Sequence, residues 1–179
     1  MGTPKALLDF HGETFLDRLT RLFSECCSPV VVVVGAEARR IRDGAAHPER
    51  AIFVENPNYA LGQLSSMQTG LRALPAGASG VLFTLVDHPG VKSDTLNALL
   101  AVPSALLAIP RYRERRGHPI FFSTKLCPEF LALPPEASAK TVVNRHAAAI
   151  RYVDVDDPGI VSDVDDAAAY ERLLRMAHL

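Results

Sequence analysis

Residues 30–34 are an unbroken run of five valines, with Pro29 before it and Gly35 after it. β-Branched side chains favour extended backbone, and a run without polar alternation leaves no face suited to water. The run therefore predicts a strand buried on both faces, the pattern of a parallel sheet with helices on either side. Apolar or mostly apolar runs at 51–54 and 81–86 repeat the signal, and residues 150–155 read as a late strand. The runs at 105–109 and 119–122 flank a basic loop, 111–118, and predict an antiparallel insertion.

Helical stripes fill the intervals. Phe15, Leu16, Leu19, Leu22 and Phe23 follow a capping Thr14 in a helix that runs to about Cys26. Residues 37–43 predict a polar helix stopped by Gly44. Leu64, Met67, Leu71 and Leu74 form a stripe with Ser65 or Ser66 at its start. Ser93 opens a helix with Leu96, Leu99 and Leu100 inward. Short helices are expected over 125–133 and 139–145, and a closing one over 165–176. Strands alternating with helices predict one layered α/β domain over residues 1–179, with a mostly parallel sheet.

Bulk composition narrows the function classes. A net charge of −1 gives no general attraction to nucleic acid or to an anionic membrane. No apolar run approaches the roughly 20 residues of a membrane-spanning helix. With no basic-then-apolar leader, residence in the cytoplasm is expected. Cys26, Cys27 and Cys127 lack metal-binding spacing and predict reduced, mostly buried thiols.

Several segments can carry chemistry. The run at 81–86 leads into Asp87-His88-Pro89, which places a carboxylate at the carboxyl edge of a sheet, where open α/β folds bind ligands. Asp87 there suits either a hard cation or the cap of the following turn. Asp163 and Asp165 project the same way if their segment is extended. Asp165 or Asp166 alternatively caps the closing helix. In the loop 56–67, Gly62 permits close backbone approach, and Ser65 and Ser66 offer hydroxyls near a helix start. The same features also describe an ordinary capped connection. Arg111, Arg113, Arg115 and Arg116 form the basic cluster, suited to phosphate oxygens or to a solvated hairpin. Tyr112 is the only aromatic within it, thin support for single-stranded nucleic acid. His118 either orients a substrate or is a hydrogen-bonded structural histidine. Lys5 has the chemistry of a phosphate counter-charge.

Taken in order, these segments resemble the molybdenum-cofactor nucleotidyltransferase family, and within it the cytidylyltransferase branch. The resemblance rests on Gly2-Thr3-Pro4-Lys5, residues 30–35, Asn56-Pro57 with Gly62 and Ser65-Ser66-Met67, Leu85-Val86-Asp87-His88-Pro89, Arg115-Arg116-Gly117-His118-Pro119 and Asp163-Val164-Asp165. It implies a three-layer Rossmann-like nucleotidyltransferase fold and a Mg2+-dependent transfer of CMP from CTP to a phosphorylated pterin cofactor. By motif, Asp87 and Asp165 would hold Mg2+, with Asp163 nearby, and Lys5 would contact phosphate. Gly62, Ser65 and Ser66 would line the nucleotide pocket. Arg115, Arg116 and His118 would lie near the acceptor. A molybdoenzyme or chaperone is the implied protein partner. Another nucleotide, a sugar-phosphate acceptor or a non-catalytic nucleotide-binding role are the alternatives. The family pattern opens with a strand and a glycine-rich loop, whereas this chain opens at the Met1-Gly2 that follows them. Two neighbouring strands are therefore expected to lack a partner, at about 1–3 kcal/mol per buried unpaired group, and nucleoside triphosphate binding is expected to be weak.

Overall fold

The computed structural model describes residues 2–176. A small antiparallel hairpin, β1 (Asp9–Phe10) with β2 (Glu13–Thr14), leads into helix α1 (Phe15–Ser24). The Thr14 hydroxyl accepts from the Asp17 amide at 3.0 Å and donates to the Asp17 carboxylate at 2.6 Å, so the expected cap is present. The apolar face predicted for α1 is buried throughout.

The chain continues through β3 (Val31–Val34), α2 (Ala38–Asp43), β4 (Ile52–Glu55), α3 (Gln63–Arg72), β5 (Gly80–Phe83) and α4 (Ser93–Leu100). It ends through β6 (Leu107–Tyr112), β7 (Arg115–Arg116), β8 (Ile120–Ser123), α5 (Cys127–Leu131), α6 (Lys140–Arg145), β9 (Ile150–Asp154) and α7 (Ala167–Met176). Strand β3 pairs in parallel with β4, and β6 in parallel with β9. Strand β8 runs antiparallel between β5 and β6, so β5, β6 and β9 share one direction. Strand β7 folds back on β6, which is the antiparallel insertion expected around the basic loop. The result is a Rossmann-like α/β architecture with a mostly parallel sheet.

Three local expectations change. The strand expected over 81–86 stops at Phe83, where pairing with β8 ends at Ile120. Helix α3 begins at Gln63 with Gly62 at its cap position, which puts Ser65 and Ser66 inside the first turn instead of at the cap. Leu100 is exposed because α4 turns only Thr95, Leu96 and Leu99 to the core.

The valine run is extended as expected, but only Val34 is buried. Val31, Val32 and Val33 are half-buried, as are all four residues of β5. The reason is topological. Strand β3 pairs only with β4 and β5 only with β8, so among the described residues no strand completes either one's second edge. By contrast, Leu107, Ala108 and Ile109 on β6, flanked by β8 and β9, are all buried. The three cysteines are free thiols and half-buried, where mostly buried ones were expected.

The carboxyl ends of the strands are tied together by Asp157, 1% exposed. One of its oxygens accepts from the Lys92 amide at 2.9 Å and the Thr95 hydroxyl at 2.6 Å; the other accepts from the Gly159 amide at 2.9 Å. Asp157→Ala leaves these donors buried without a partner. A loss of about 3 kcal/mol or more is expected in urea unfolding, with Asp157→Asn intermediate.

Candidate active site

Asp87 sits in the turn that leaves β5, four residues beyond the strand's end. Four independent ties fix this turn. The Asp87 carbonyl accepts from the Val164 amide at 3.0 Å, and the Pro89 carbonyl from Arg18 Nε at 2.7 Å. The Lys92 amide reaches Asp157. Gly90 is packed so closely against Gly159 that a Cβ on Gly159 would collide with the Gly90 carbonyl. The turn is thus clamped between α1 and the segment that precedes α7.

Within the turn, Asp87 Oδ1 is buried and has no hydrogen-bond partner among the described residues. His88 Nε2 lies 3.7 Å from it, beyond hydrogen-bond distance. His88 is itself buried and its Nδ1 is also without a partner. Its ring lies 5.0 Å from that of His118. His118 Nδ1 is likewise without a partner among the described residues; buried polar atoms are normally satisfied, so three orphans in one place mark a site built for something other than stability.

His118 reaches this position because Gly117 passes flush against Ile160. The His118 amide donates to the Ile160 carbonyl at 2.9 Å, and a side chain on Gly117 would strike that same carbonyl. Burial pushes the His118 imidazole down to about 4, with His88 beside it adding to the effect. The ring is therefore neutral at physiological pH.

Lys5 crosses from the other end of the chain. Its ammonium donates to Asp165 Oδ1 at 2.6 Å. That hydrogen bond, with the lysine's charge, holds the Asp165 carboxyl below the ordinary carboxylate range. Asp163 and Asp165 are both exposed with Val164 buried between them, the alternation expected of an extended segment. Asp166 caps the start of α7 through the Ala169 amide at 2.7 Å, which leaves Asp165 to Lys5. Capping thus falls to Asp166, while Asp165 pairs with Lys5.

Among the described residues, no three His, Cys, Asp or Glu side chains stand close enough to hold one metal ion. The donor set still suits a hard cation that takes one or two carboxylates and fills its remaining positions with phosphate oxygens and water. The orphaned oxygen of Asp87 is the observation that fits.

The loop 56–67 forms the second wall. Gly62 has a positive φ of 99°, the left-handed side that favours glycine. Asn56, 1% exposed, donates from Nδ2 to Ser65 Oγ at 2.9 Å and Ser66 Oγ at 3.0 Å. Its Oδ1 accepts from the Asn58 amide at 3.0 Å. The Ser65 hydroxyl donates within this loop, to the carbonyls of Gly62 and Asn58. The serines therefore shape the loop, with Asn56 as its anchor. An open cleft of about 880 Å3 lies beside it, lined by Leu7, Gly35, Arg39, Arg40, Glu55 and Tyr59 among others.

The structure brings Lys5, Asp87, Asp163, Asp165 and His118 to one edge. Arg115 and Arg116, just before Gly117-His118, are exposed on β7, with the Arg116 guanidinium 4.8 Å from the Tyr152 ring centroid. Sequence reasoning gave no role to His88, Asn56 or Asp157. An Asn-Pro pair directly after a strand is a usable signal for Asn56, because Asn side chains organise turns. Asp157-Pro158-Gly159 carries the same kind of turn signal, and Asp157 accepts from the Gly159 amide.

No helix among the described residues is long and apolar enough to cross a membrane. A family model described as the MobA-like NTP transferase domain matches residues 1–150. The molybdenum cofactor cytidylyltransferase of Escherichia coli K12 is 24% identical over 170 residues, 92% of this chain and 84% of that protein. The crystal structure of Rv0371c from Mycobacterium tuberculosis H37Rv superposes with a TM-score of 0.83 at 26% identity, covering 98% of this chain and 91% of that one. The structure of Rv0371c in complex with manganese gives 0.76 at 26% identity, covering 97% and 93%.

Two titrations test the electrostatics. Lys5→Met removes the cation beside Asp165, and NMR titration should show its carboxyl rising toward the ordinary range. His118 is depressed in the folded state, so the unfolded chain takes up its proton first as pH falls. Stability from this group is complete above about 6.5 and is lost as pH falls toward about 4. The loss is about 3 kcal/mol, and His118→Gln should flatten that part of the urea-stability profile between pH 7 and 4.

Proposed function

Because this chain belongs to the MobA-like NTP transferase domain family, we propose that it transfers CMP from CTP to a phosphate-bearing molybdopterin-type cofactor, releasing pyrophosphate. The observation that carries the reading is the orphaned, buried oxygen of Asp87 at the same sheet edge as the Lys5–Asp165 pair. The likeness to the Escherichia coli molybdenum cofactor cytidylyltransferase supports CTP as donor and a pterin as acceptor.

In this reading an oxygen of the acceptor's phosphate attacks the α-phosphorus of CTP. A new P–O bond forms, the bond from the α-phosphorus to the bridging oxygen breaks, and pyrophosphate leaves with that electron pair. Such a transfer needs alignment and charge neutralisation more than covalent help from the protein. Lys5 sits at the edge as a point charge for phosphate oxygens, and its bond to Asp165 holds it there. Neutral His118 hydrogen-bonds without bringing a second cation. Arg115 and Arg116 offer guanidinium forks on an exposed strand for the acceptor's phosphate. Gly62 and the Asn56-anchored serines shape the wall that receives the base.

Asp87 and Asp165, with Asp163 beside them, would hold a Mg2+ ion, which when bound neutralises charge on the triphosphate. The manganese complex of Rv0371c supports a divalent cation in this fold.

The test is pyrophosphate release with CTP or GTP, with Mg2+ and either a pterin phosphate or a sugar phosphate as acceptor. Turnover should require CTP and the pterin. Asp87→Asn should lower it by about 100-fold or more. Replacing Arg115 and Arg116 with alanine should raise KM for the acceptor and leave that for CTP unchanged. Equal turnover on the sugar phosphate would overturn the acceptor assignment.

A further inference from the structure

Cys26 and Cys27 follow helix α1. Neighbouring side chains on a helix diverge by about 100°. Here they converge. Both amides donate to the one Phe23 carbonyl, at 3.1 Å and 2.8 Å, which tightens the turn that leaves α1. The two Sγ atoms stand 3.8 Å apart. Both residues are free thiols and half-buried, and Cys26 packs against the cluster that holds Leu22 and Phe23.

The geometry favours a shared ion over a bond between the sulfurs. Thiolates about 2.3 Å from one cation, at a tetrahedral angle, stand about 3.8 Å from each other. A disulfide spans Cα atoms that are roughly 4.4–6.8 Å apart. The Cys26–Cys27 peptide bond is trans, which holds these two Cα atoms at about 3.8 Å.

Chemistry narrows the ion. Burial pushes the Cys27 thiol up to about 12, with Cys26 beside it adding to the effect, and burial raises the Cys26 thiol as well. Neither is a thiolate at neutral pH, so neither is a ready nucleophile. An occupant has to displace both protons, which sulfur-seeking cations do and hard, oxygen-seeking ones do not. Among the described residues, no third His, Cys, Asp or Glu joins the pair in a metal-binding set. A structural metal site is closed by protein ligands on every side. Two thiolates leave the rest of the sphere open to water or to a ligand brought from outside.

The geometry points to Cys26 and Cys27 as a two-thiolate site for one sulfur-seeking, closed-shell cation of the Zn2+ and Cd2+ class, bound exchangeably. Binding changes no oxidation state. Two S–H bonds break, two S–metal bonds form, and both protons go to solvent, so affinity rises with pH. No residue assigned to nucleotidyl transfer takes part, and the site does not depend on that reading.

Cd2+ is the probe, followed by its sulfur-to-metal charge-transfer absorption and by competition with a chromophoric chelator. One ion should bind per chain and release about two protons. Cys26→Ser or Cys27→Ser should each weaken binding by about 100-fold, because the second ligand of a chelate acts at high effective concentration. Cys127→Ser and Asp87→Asn should leave it unchanged. In the unsubstituted chain, Cd2+ should protect Cys26 and Cys27 together from a maleimide, read by mass spectrometry, and leave Cys127 as reactive as before. A peptide of residues 22–30 carries the same thiols without the fold and should bind about tenfold more weakly, since nothing orders it in advance. Three results overturn the proposal: affinity unchanged in Cys27→Ser, equal affinity in the peptide and the folded chain, or ready closure of a Cys26–Cys27 disulfide by glutathione disulfide.

Discussion

One buried carboxylate organises the functional edge. Asp157 accepts the Lys92 amide, the Thr95 hydroxyl and the Gly159 amide, and so joins the start of α4 to the segment behind β9. Because Gly159 packs flush against Gly90, that join also fixes the turn carrying Asp87 and His88. One residue on, Ile160 takes the His118 amide and leaves room for Gly117 only as glycine. A charge buried this deeply is stable only when fully hydrogen-bonded. Here its bonds hold the scaffold on which the candidate site stands.

The site itself is sparing with charge. Lys5 is committed to Asp165 and His118 is kept neutral by burial, so the edge does not carry several free cations. Asp87 is the exception, with an oxygen that nothing among the described residues satisfies. A carboxylate left so costs stability unless something else binds it, which is why this oxygen, more than any motif, ties the family reading to a particular atom.

The valine run shows how a correct local reading can miss its environment. Its β-branched composition specified extended backbone, and that was found. Full burial required strands on both edges, and β3 has one partner. Among the described residues the second edges of β3 and β5 have no strand against them. The cap at Thr14, the α1 stripe and the hairpin in the basic loop were legible because each depends on residues within a few positions.

Local chemistry, then, was written in the sequence: periodicity fixed the elements, and short motifs singled out Asp87, Lys5, Asp163 and Asp165. Long-range geometry was not. That Lys5 meets Asp165 across 160 positions, that Asp166 takes the helix cap, and that the His88 ring lies beside that of His118 follow from how β5, the β7–β8 connection and the segment before α7 converge. Arg115 and Arg116 show the converse, since adjacency to His118 in sequence left them exposed on β7 while His118 turned inward. Side-chain direction in that connection is set by the close passage of Gly117 over Ile160, a contact between segments far apart in the chain.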